Sequence, residues 1–184
     1  MWSEKLHERY LMINEKIKIE DNFLDLAEFN KIQELMMGPS FPWFYSDKIV
    51  SENDKNKFQF IHVFYQESAP TSERIQVLAP IINVLSITSL WRIKANLQTK
   101  TSNIVESTFH VDIGNLISKP EKLAQWTTSI FYINTNNGYT KFEDGTIVKS
   151  FANRLLTFPS NLKHCGTSCT DERTRVVINF NYFK

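Results

Sequence analysis

WTTSIFYINTNNGYTKFEDGTIVKSFANRLLTFPS, residues 126–160, is the stretch that decides the fold. Its β-branched and aromatic residues come in short runs, and each run is cut by a turn signal. The first is Asn136-Asn137-Gly138. The second, Glu143-Asp144-Gly145, is a hairpin signal, because an Asp-Gly pair tolerates the positive φ of a tight antiparallel turn. The runs predict strands at Trp126–Ile133, Thr140–Phe142, Ile147–Ser150 and Leu155–Phe158. The same texture extends upstream to Leu90–Leu97 and Thr108–Ile113, and downstream to Arg175–Tyr182. This many short strands without intervening helices fits an antiparallel sandwich or jelly-roll, not a parallel α/β sheet.

Toward the N-terminus the pattern is mixed. The segment Met12 to Asp21 ends in the alternation Ile17, Lys18, Ile19, Glu20, which reads as an edge strand. Asp25 followed by Glu28 has the form of a capping box, and Leu26, Phe29, Ile32, Leu35 and Met36 recur at helical spacing until Gly38 and Pro39. An amphipathic helix over Asp25–Met37 follows. Phe58–Tyr65 reads as a strand. A second helix, Ser72–Ser86, carries Ile75, Leu78, Ile81, Ile82 and Leu85 on one stripe, with a break expected at Pro80. The expected class is therefore α+β, mainly β: a double-stranded β-helix (jelly-roll, cupin-like) core with N-terminal helices packed on one sheet. With no repeat, low-complexity run or linker, residues 1–184 read as a single domain, with an N-terminal strand and helices over 10–88 and the core over 89–184.

Composition narrows the function classes. The 21 basic and 20 acidic residues leave a net charge of +1, which argues against nucleic acid or an anionic membrane as partner. The N-terminus lacks the apolar region of an export signal, no run has the length of a membrane span, and two cysteines, Cys165 and Cys169, make no disulfide framework. A cytoplasmic protein is the expectation. Oligomeric state is not legible.

Chemistry concentrates at Phe109-His110-Val111-Asp112. On a strand, residues two apart share a face, so an imidazole nitrogen and a carboxylate oxygen can converge on one ion. By itself such a tripeptide also describes a surface pair at a strand end. A third donor would complete a triangular face and leave three open positions, the arrangement of a non-haem Fe(II) site. The chain has four histidines. His7 lies in a charged, solvated-looking segment, and His62 reads as a hydrogen-bonded residue of an aromatic strand. His164 follows a strand that ends in Pro159-Ser160 and is placed to be the third ligand. Arg175 opens a strand on which Arg175, Val177 and Asn179 share a face; a guanidinium there can grip a carboxylate through both oxygens. Arg173 competes for that role. Arg92, Lys94 and Asn96 share a face of another strand, and with Arg154 could line a polar entrance, although Lys94 reads as solvated. Trp43, in Pro42-Trp43-Phe44-Tyr45, reads as a packing residue, with a lid as the alternative.

His110-x-Asp112, His164 and Arg175, in that order, resemble the 2-oxoglutarate/Fe(II) dioxygenase superfamily, and within it the prolyl 4-hydroxylase-like branch. The similarity runs from Leu90 to the C-terminus and is weaker in the N-terminal strand and helix. Thr128-Ser129-Ile130-Phe131-Tyr132-Ile133-Asn134 is similar to the strand that follows the branch's His-x-Asp. Gly138-Tyr139-Thr140-Lys141-Phe142 matches its Gly turn and Thr-x-Phe segment, and Arg154-Leu155-Leu156-Thr157-Phe158-Pro159-Ser160 the strand leading to the distal His. The resemblance implies that His110, Asp112 and His164 hold Fe(II). It implies that Arg175 binds the distal carboxylate of 2-oxoglutarate, with Tyr132 adding a hydrogen bond and Asn179 lying near the cosubstrate. The implied activity is O2-dependent hydroxylation of a peptidyl or small-molecule substrate, coupled to decarboxylation of 2-oxoglutarate to succinate and CO2, with ascorbate as a possible accessory. Two positions depart from the pattern: Asn153 stands for the usual Gly before Arg154, and Lys141 for a common acidic residue. A cupin-like metal enzyme without 2-oxoglutarate, and a metal-free binding module on the same fold, remain as alternatives.

Overall fold

The computed structural model describes residues 10–14, 16–50 and 57–184. His7 lies outside them. Most strands join one antiparallel sheet. Its order begins with β1 (Tyr10–Asn14), β2 (Ile17–Glu20), β10 (Arg154–Pro159) and β7 (Thr127–Tyr132). It continues through β12 (Thr174–Phe183), β6 (Ser89–Thr99), β4 (Gln59–Gln66) and β3 (Phe44–Ser46), and β5 (Ala69–Pro70) also pairs with β4. A second, smaller sheet has the order β11 (His164–Gly166), β8 (Tyr139–Phe142), β9 (Ile147–Lys149). Helix α1 (Leu26–Met37), helix α2 (Ala79–Val84) and the short α3 (Pro120–Leu123) complete the described elements together with 3-10 turns at Glu73–Leu78 and Gly114–Leu116.

Strand alternation assigns each side chain of the large sheet to one of two cores. On the outer face Phe131 of β7 and Ile133 just after it, Leu155 of β10, and Val176, Ile178 and Phe180 of β12 pack with Phe29, Ile32 and Met36 of α1 and Ile81 of α2. On the inner face Ile130, Tyr132, Leu156, Phe158 and Val177 meet Phe142 and Val148 of the small sheet. Both faces are therefore covered. That is why β12 is buried at nearly every position, and each large apolar side chain so enclosed contributes about 1.5–3 kcal/mol.

Several local expectations change. β2 is not an edge, because β1 folds back on it as a hairpin and takes the edge itself. The Asp25 side chain makes no cap hydrogen bond, and Leu26 is 70% exposed, so the stripe of α1 begins at Phe29. Gly38 does not end α1 in a left-handed conformation; a Cβ there would lie 2.7 Å from the carbonyl oxygen of Glu34. The second helix divides before Pro80 into the 3-10 turn and α2, since proline is accommodated in a first helical turn. Thr108–Ile113 forms no strand. Only two isolated bridges join this stretch to the region of β11, Glu106 to Thr167 and His110 to His164. Four residues separate the first members and three the second, so one extra residue breaks the ladder.

The Glu143–Gly145 hairpin forms as read, with Gly145 at φ 89° and β8 paired to β9. Asn153 takes φ 60°, the conformation for which glycine is usual, and its amide group exchanges hydrogen bonds with both backbone groups of Leu24, at 2.9 and 2.8 Å. This amide clamps the entry of α1 to β10. Replacing Asn153 by Ala should lower the unfolding free energy by about 2–4 kcal/mol in urea titration, combining left-handed strain with two buried backbone groups left unpaired. Asn153→Gly, which keeps the conformation but not the bonds, should lose less.

Candidate active site

A cleft between the two sheets is lined by residues of β12, β6 and β4 from the large sheet and of β8 and β11 from the small one, with a cavity of about 60 Å³ at its centre. Cross-strand register decides what faces it. Arg175, Val177, Asn179 and Asn181 of β12 stand opposite Gln98, Asn96, Lys94 and Arg92 of β6. The outer face of these strands is apolar and the cleft face polar, so the polar row was assembled by alternation alone.

His110, Asp112 and His164 meet at this cleft, with one ligand atom of each within 4.8 Å of the others. The backbone N–H and C=O groups of His110 and His164 exchange hydrogen bonds, both 3.0 Å, which locks the irregular stretch carrying His110 onto β11. Each imidazole is oriented in the same way. Nδ1 of His110 lies 3.0 Å from the carbonyl of Thr108, and Nδ1 of His164 lies 3.3 Å from that of Leu162. Donating Nδ1–H to a carbonyl fixes the tautomer and leaves Nε2 as the lone-pair donor. His110 Nε2 is 3.7 Å from Asp112 Oδ1.

Protonation states suit the same use. Burial pushes the His164 imidazole down to about 4, although Asp112 opposes this, so at neutral pH no proton need be displaced from it. Burial would raise the Asp112 carboxyl, but the neighbouring His110, His164 and Arg92 side chains hold it well below the usual range. The Asp112 side chain is 4% exposed and is oriented on the side away from the imidazoles. Asn181 Nδ2 donates to Oδ2 at 3.0 Å, and Arg92 donates to the Asp112 carbonyl at 3.2 Å while its Nε donates to Asn181 Oδ1 at 3.3 Å. Asn181 and Arg92 were not singled out as supports of the ligand set. The period-2 alternation that groups Arg175, Val177 and Asn179 reaches Asn181 if extended by two residues.

Arg175, 4% exposed, lies farther in. Its Nε donates to Ser150 Oγ at 2.8 Å and its Nη2 to Thr140 Oγ1 at 3.2 Å, and Thr140 Oγ1 also accepts from the Tyr132 hydroxyl at 2.8 Å. Tyr132 therefore reaches the cleft through Thr140, which lines it. Among the described residues no carboxylate pairs with this guanidinium. Glycines make room for it: a Cβ on Gly138 would lie 2.6 Å from Arg175 Cδ, and one on Gly166 3.4 Å from Nη1. Arg173 is exposed and takes no part.

Other candidates fall elsewhere. Arg154 lies away from the cleft in a bidentate pair with Asp21, at 2.6 and 2.8 Å, stacked on Phe151. Lys94 is not on a solvated face; it lines the cleft, and Asn96 lines it too. His62 is buried between Pro42 O and Ser72 Oγ, and Trp43 packs on Phe41. Cys165 and Cys169 are buried, free thiols outside the ligand cluster.

The residues fit a bound metal and a diacid. The donor set is two imidazoles and one carboxylate on one side of a cleft, as an Fe(II) facial triad requires. Two buried acceptors that line the same cleft, Asn179 Oδ1 and Gln98 Oε1, have no hydrogen-bond partner among the described residues.

No family model matches the chain, and no curated protein matches it in sequence. Solved structures do match in shape. A prolyl hydroxylase from Trichoplax adhaerens, in complex with a peptide fragment of hypoxia inducible factor, aligns over 98% of this chain and 90% of its own, with a TM-score of 0.64 and 16% identity. A 2OG-Fe(II) oxygenase family oxidoreductase from Burkholderia pseudomallei aligns over 93% and 87%, with a TM-score of 0.66 and 11% identity. The epimerase SnoN, in complex with Fe3+, alpha ketoglutarate and nogalamycin RO, aligns over 98% and 83%, with a TM-score of 0.62 and 12% identity. The chain has the jelly-roll fold of these oxygenases, with the helices on the outer face of the large sheet.

Asn181→Leu removes the hydrogen bond to Asp112 Oδ2 while preserving side-chain size. Calorimetric titration with Mn(II) should show affinity falling about 10- to 100-fold, the usual effect of losing a group that orients a ligand. An unchanged affinity would show that Asp112 does not need this support.

Proposed function

We propose that this chain is a 2-oxoglutarate-dependent Fe(II) dioxygenase that hydroxylates a peptidyl or small-molecule substrate. The observation that carries the reading is the pairing of two features in one cleft: a His110–Asp112–His164 donor cluster, and a buried guanidinium, Arg175, without a carboxylate among the described residues. An isolated buried charge is disfavoured by several kcal/mol, and a diacid bound at the metal would bring the missing anion. The fold shared with oxygenases supports the same reading.

Each residue then has a task. His110 and His164 would hold the iron through Nε2 and Asp112 through Oδ1. Arg175 holds the far carboxylate of the diacid, and Thr140 and Ser150 fix the guanidinium plane so that its remaining N–H groups face inward. Tyr132 orients Thr140. When bound, iron with 2-oxoglutarate and O2 would supply the oxidising power, the cosubstrate leaving as succinate and CO2. Ile130 and Val177 add apolar side chains to the lining of the cleft.

Succinate should form only when ferrous iron, 2-oxoglutarate and O2 are all present, with ascorbate in the assay to keep the iron reduced. Metal uptake without succinate would indicate a metal enzyme of another kind, and neither would indicate a binding module. His164→Ala should abolish turnover. Arg175→Ala should raise the KM for 2-oxoglutarate by about 10- to 200-fold, the equivalent of losing one or two charge-assisted hydrogen bonds, with a smaller effect on kcat. Full activity in His164→Ala would rule out the ligand assignment.

Gly138→Ala should act on the same step from a distance. The added methyl would lie 2.6 Å from Arg175 Cδ, 2.7 Å from the Ser168 carbonyl oxygen and 2.8 Å from Asn136 Oδ1, so both the guanidinium and the adjoining backbone must shift. The KM for 2-oxoglutarate should rise by at least about tenfold, the scale of one weakened charge-assisted bond, with a loss of thermal stability measured alongside.

A further inference from the structure

The charges lining the cleft do not balance. At its inner part and at the shallower mouth that continues past His110 and Asp112, the described residues contribute four cations: Arg175, Arg92, Lys94 and Lys163. They contribute one acid, Asp112. Three of the cations have a role or partner. Arg92 is 3.4 Å from Asp112, Lys163 pairs with Glu143 at the exposed rim at 3.2 Å, and Arg175 awaits the diacid. Lys94 has neither a hydrogen bond nor an ion pair among the described residues. It stands where the inner cleft meets the mouth, and both are lined by it. Burial and the neighbouring Arg92 lower its ammonium pKa to about 8, as expected of a charge without a partner.

Loading the site does not remove the excess. A dication, Asp112 and a dianionic cosubstrate sum to −1, which Arg175 cancels. Arg92 and Lys94 then leave the region positive. Nor is Lys94 placed to share the cosubstrate's far carboxylate with Arg175. It stands opposite Asn179, four residues along β12 from Arg175, a separation of about 13 Å along the strand. It is instead level with the Asn179 and Asn181 amides that reach Asp112, on the side from which a substrate would approach the metal.

We propose that Lys94 is the substrate anchor: the molecule oxidised carries an anionic group, carboxylate or phosphate, that pairs with the Lys94 ammonium and places a neighbouring C–H bond at the metal. The inference rests on the dioxygenase reading for the chemistry that follows, but the anion site itself is a property of this chain and can be tested without turnover.

The test uses protein with 13C-dimethylated lysines, loaded with Zn(II) and N-oxalylglycine, the Lys94 signal being the one absent from Lys94→Met. Sodium acetate, inorganic phosphate and neutral acetamide are the probes. The Lys94 signal should move saturably with acetate or phosphate and at least about fivefold less with acetamide, and the stronger of the two anions names the substrate's group. Calorimetry should show the same anion binding kept in Lys94→Arg and lost in Lys94→Met, with N-oxalylglycine affinity within twofold of the parent in both. A Lys94 signal indifferent to both anions would overturn the proposal. So would a tenfold loss of N-oxalylglycine affinity in Lys94→Met, which would assign Lys94 to the cosubstrate. If N-oxalylglycine does not bind even the parent protein, the dioxygenase reading fails, while the anion titration of the zinc-loaded protein still decides for or against Lys94.

Discussion

A guanidinium enclosed between two sheets, with no carboxylate beside it among the described residues, is the constraint on which the rest of the site depends. Burying an uncompensated charge in this way costs about 3–5 kcal/mol, and hydrogen bonds to neutral hydroxyls offset only part of it. The surroundings of Arg175 are organised around that cost. Ser150 and Thr140 satisfy Nε and Nη2, the Tyr132 ring lies 5.7 Å from the guanidinium carbon, and Gly138 withholds a side chain where a Cβ would fall 2.6 Å from Arg175 Cδ. Residues from β7, β8, β11 and β12 all touch this one group, so the small sheet must dock on the large one in a single register for the charge to be accommodated. The fold stores a binding energy here that only an anion can release.

The same docking explains why the large sheet carries two unlike faces. β12 supplies Val176, Ile178 and Phe180 to the helix-packed core and Arg175, Asn179 and Asn181 to the cleft. A shift of one residue in its register would place Arg175 and the amides against α1 and α2 and turn the apolar residues toward the His110–Asp112–His164 cluster. The polar row thereby works as a register lock as well as a site.

How much of this was legible in the sequence follows from how far each feature reaches. The hairpin at Glu143–Gly145 depends on neighbours a few residues away and was readable; at Asn153 only the departure from the resembled glycine was readable, and its left-handed conformation came with the structure. The metal-ligand candidates and Arg175 were readable because order and spacing along the chain resemble a known pattern. What escaped was set by register across strands. Asn181 reaches Asp112, and Arg92 reaches Asn181, only because β12 pairs with β6 in one alignment out of several that the same residues allow. Lys94 was read as solvated because its strand also has a polar pattern on a single face, and nothing local distinguishes a cleft from bulk solvent. Arg154 was drawn toward the site for the opposite reason: its proximity in sequence to His164 suggested proximity in space, whereas the strand points its guanidinium at Asp21.

The failure of Thr108–Ile113 to form a strand is itself part of the chemistry. In an unbroken ladder His110 and Asp112 would project from one face at the ordinary spacing of alternate residues, nearly 7 Å along the strand. The extra residue between the Glu106 and His110 bridges releases the chain from the ladder. His110 stays paired to His164 through both backbone groups, while Asp112, free of any partner strand, turns back until its Oδ1 is 3.7 Å from His110 Nε2 and its Oδ2 is held by Asn181. Both backbone groups of His110 are committed to His164, whereas Asp112 is held by side chains, Oδ2 by Asn181 and Oδ1 beside Arg92. The convergence of the three donors thus rests on one bridge and on side-chain contacts rather than on a continuous ladder, an irregularity of the kind that bulges provide beside active sites.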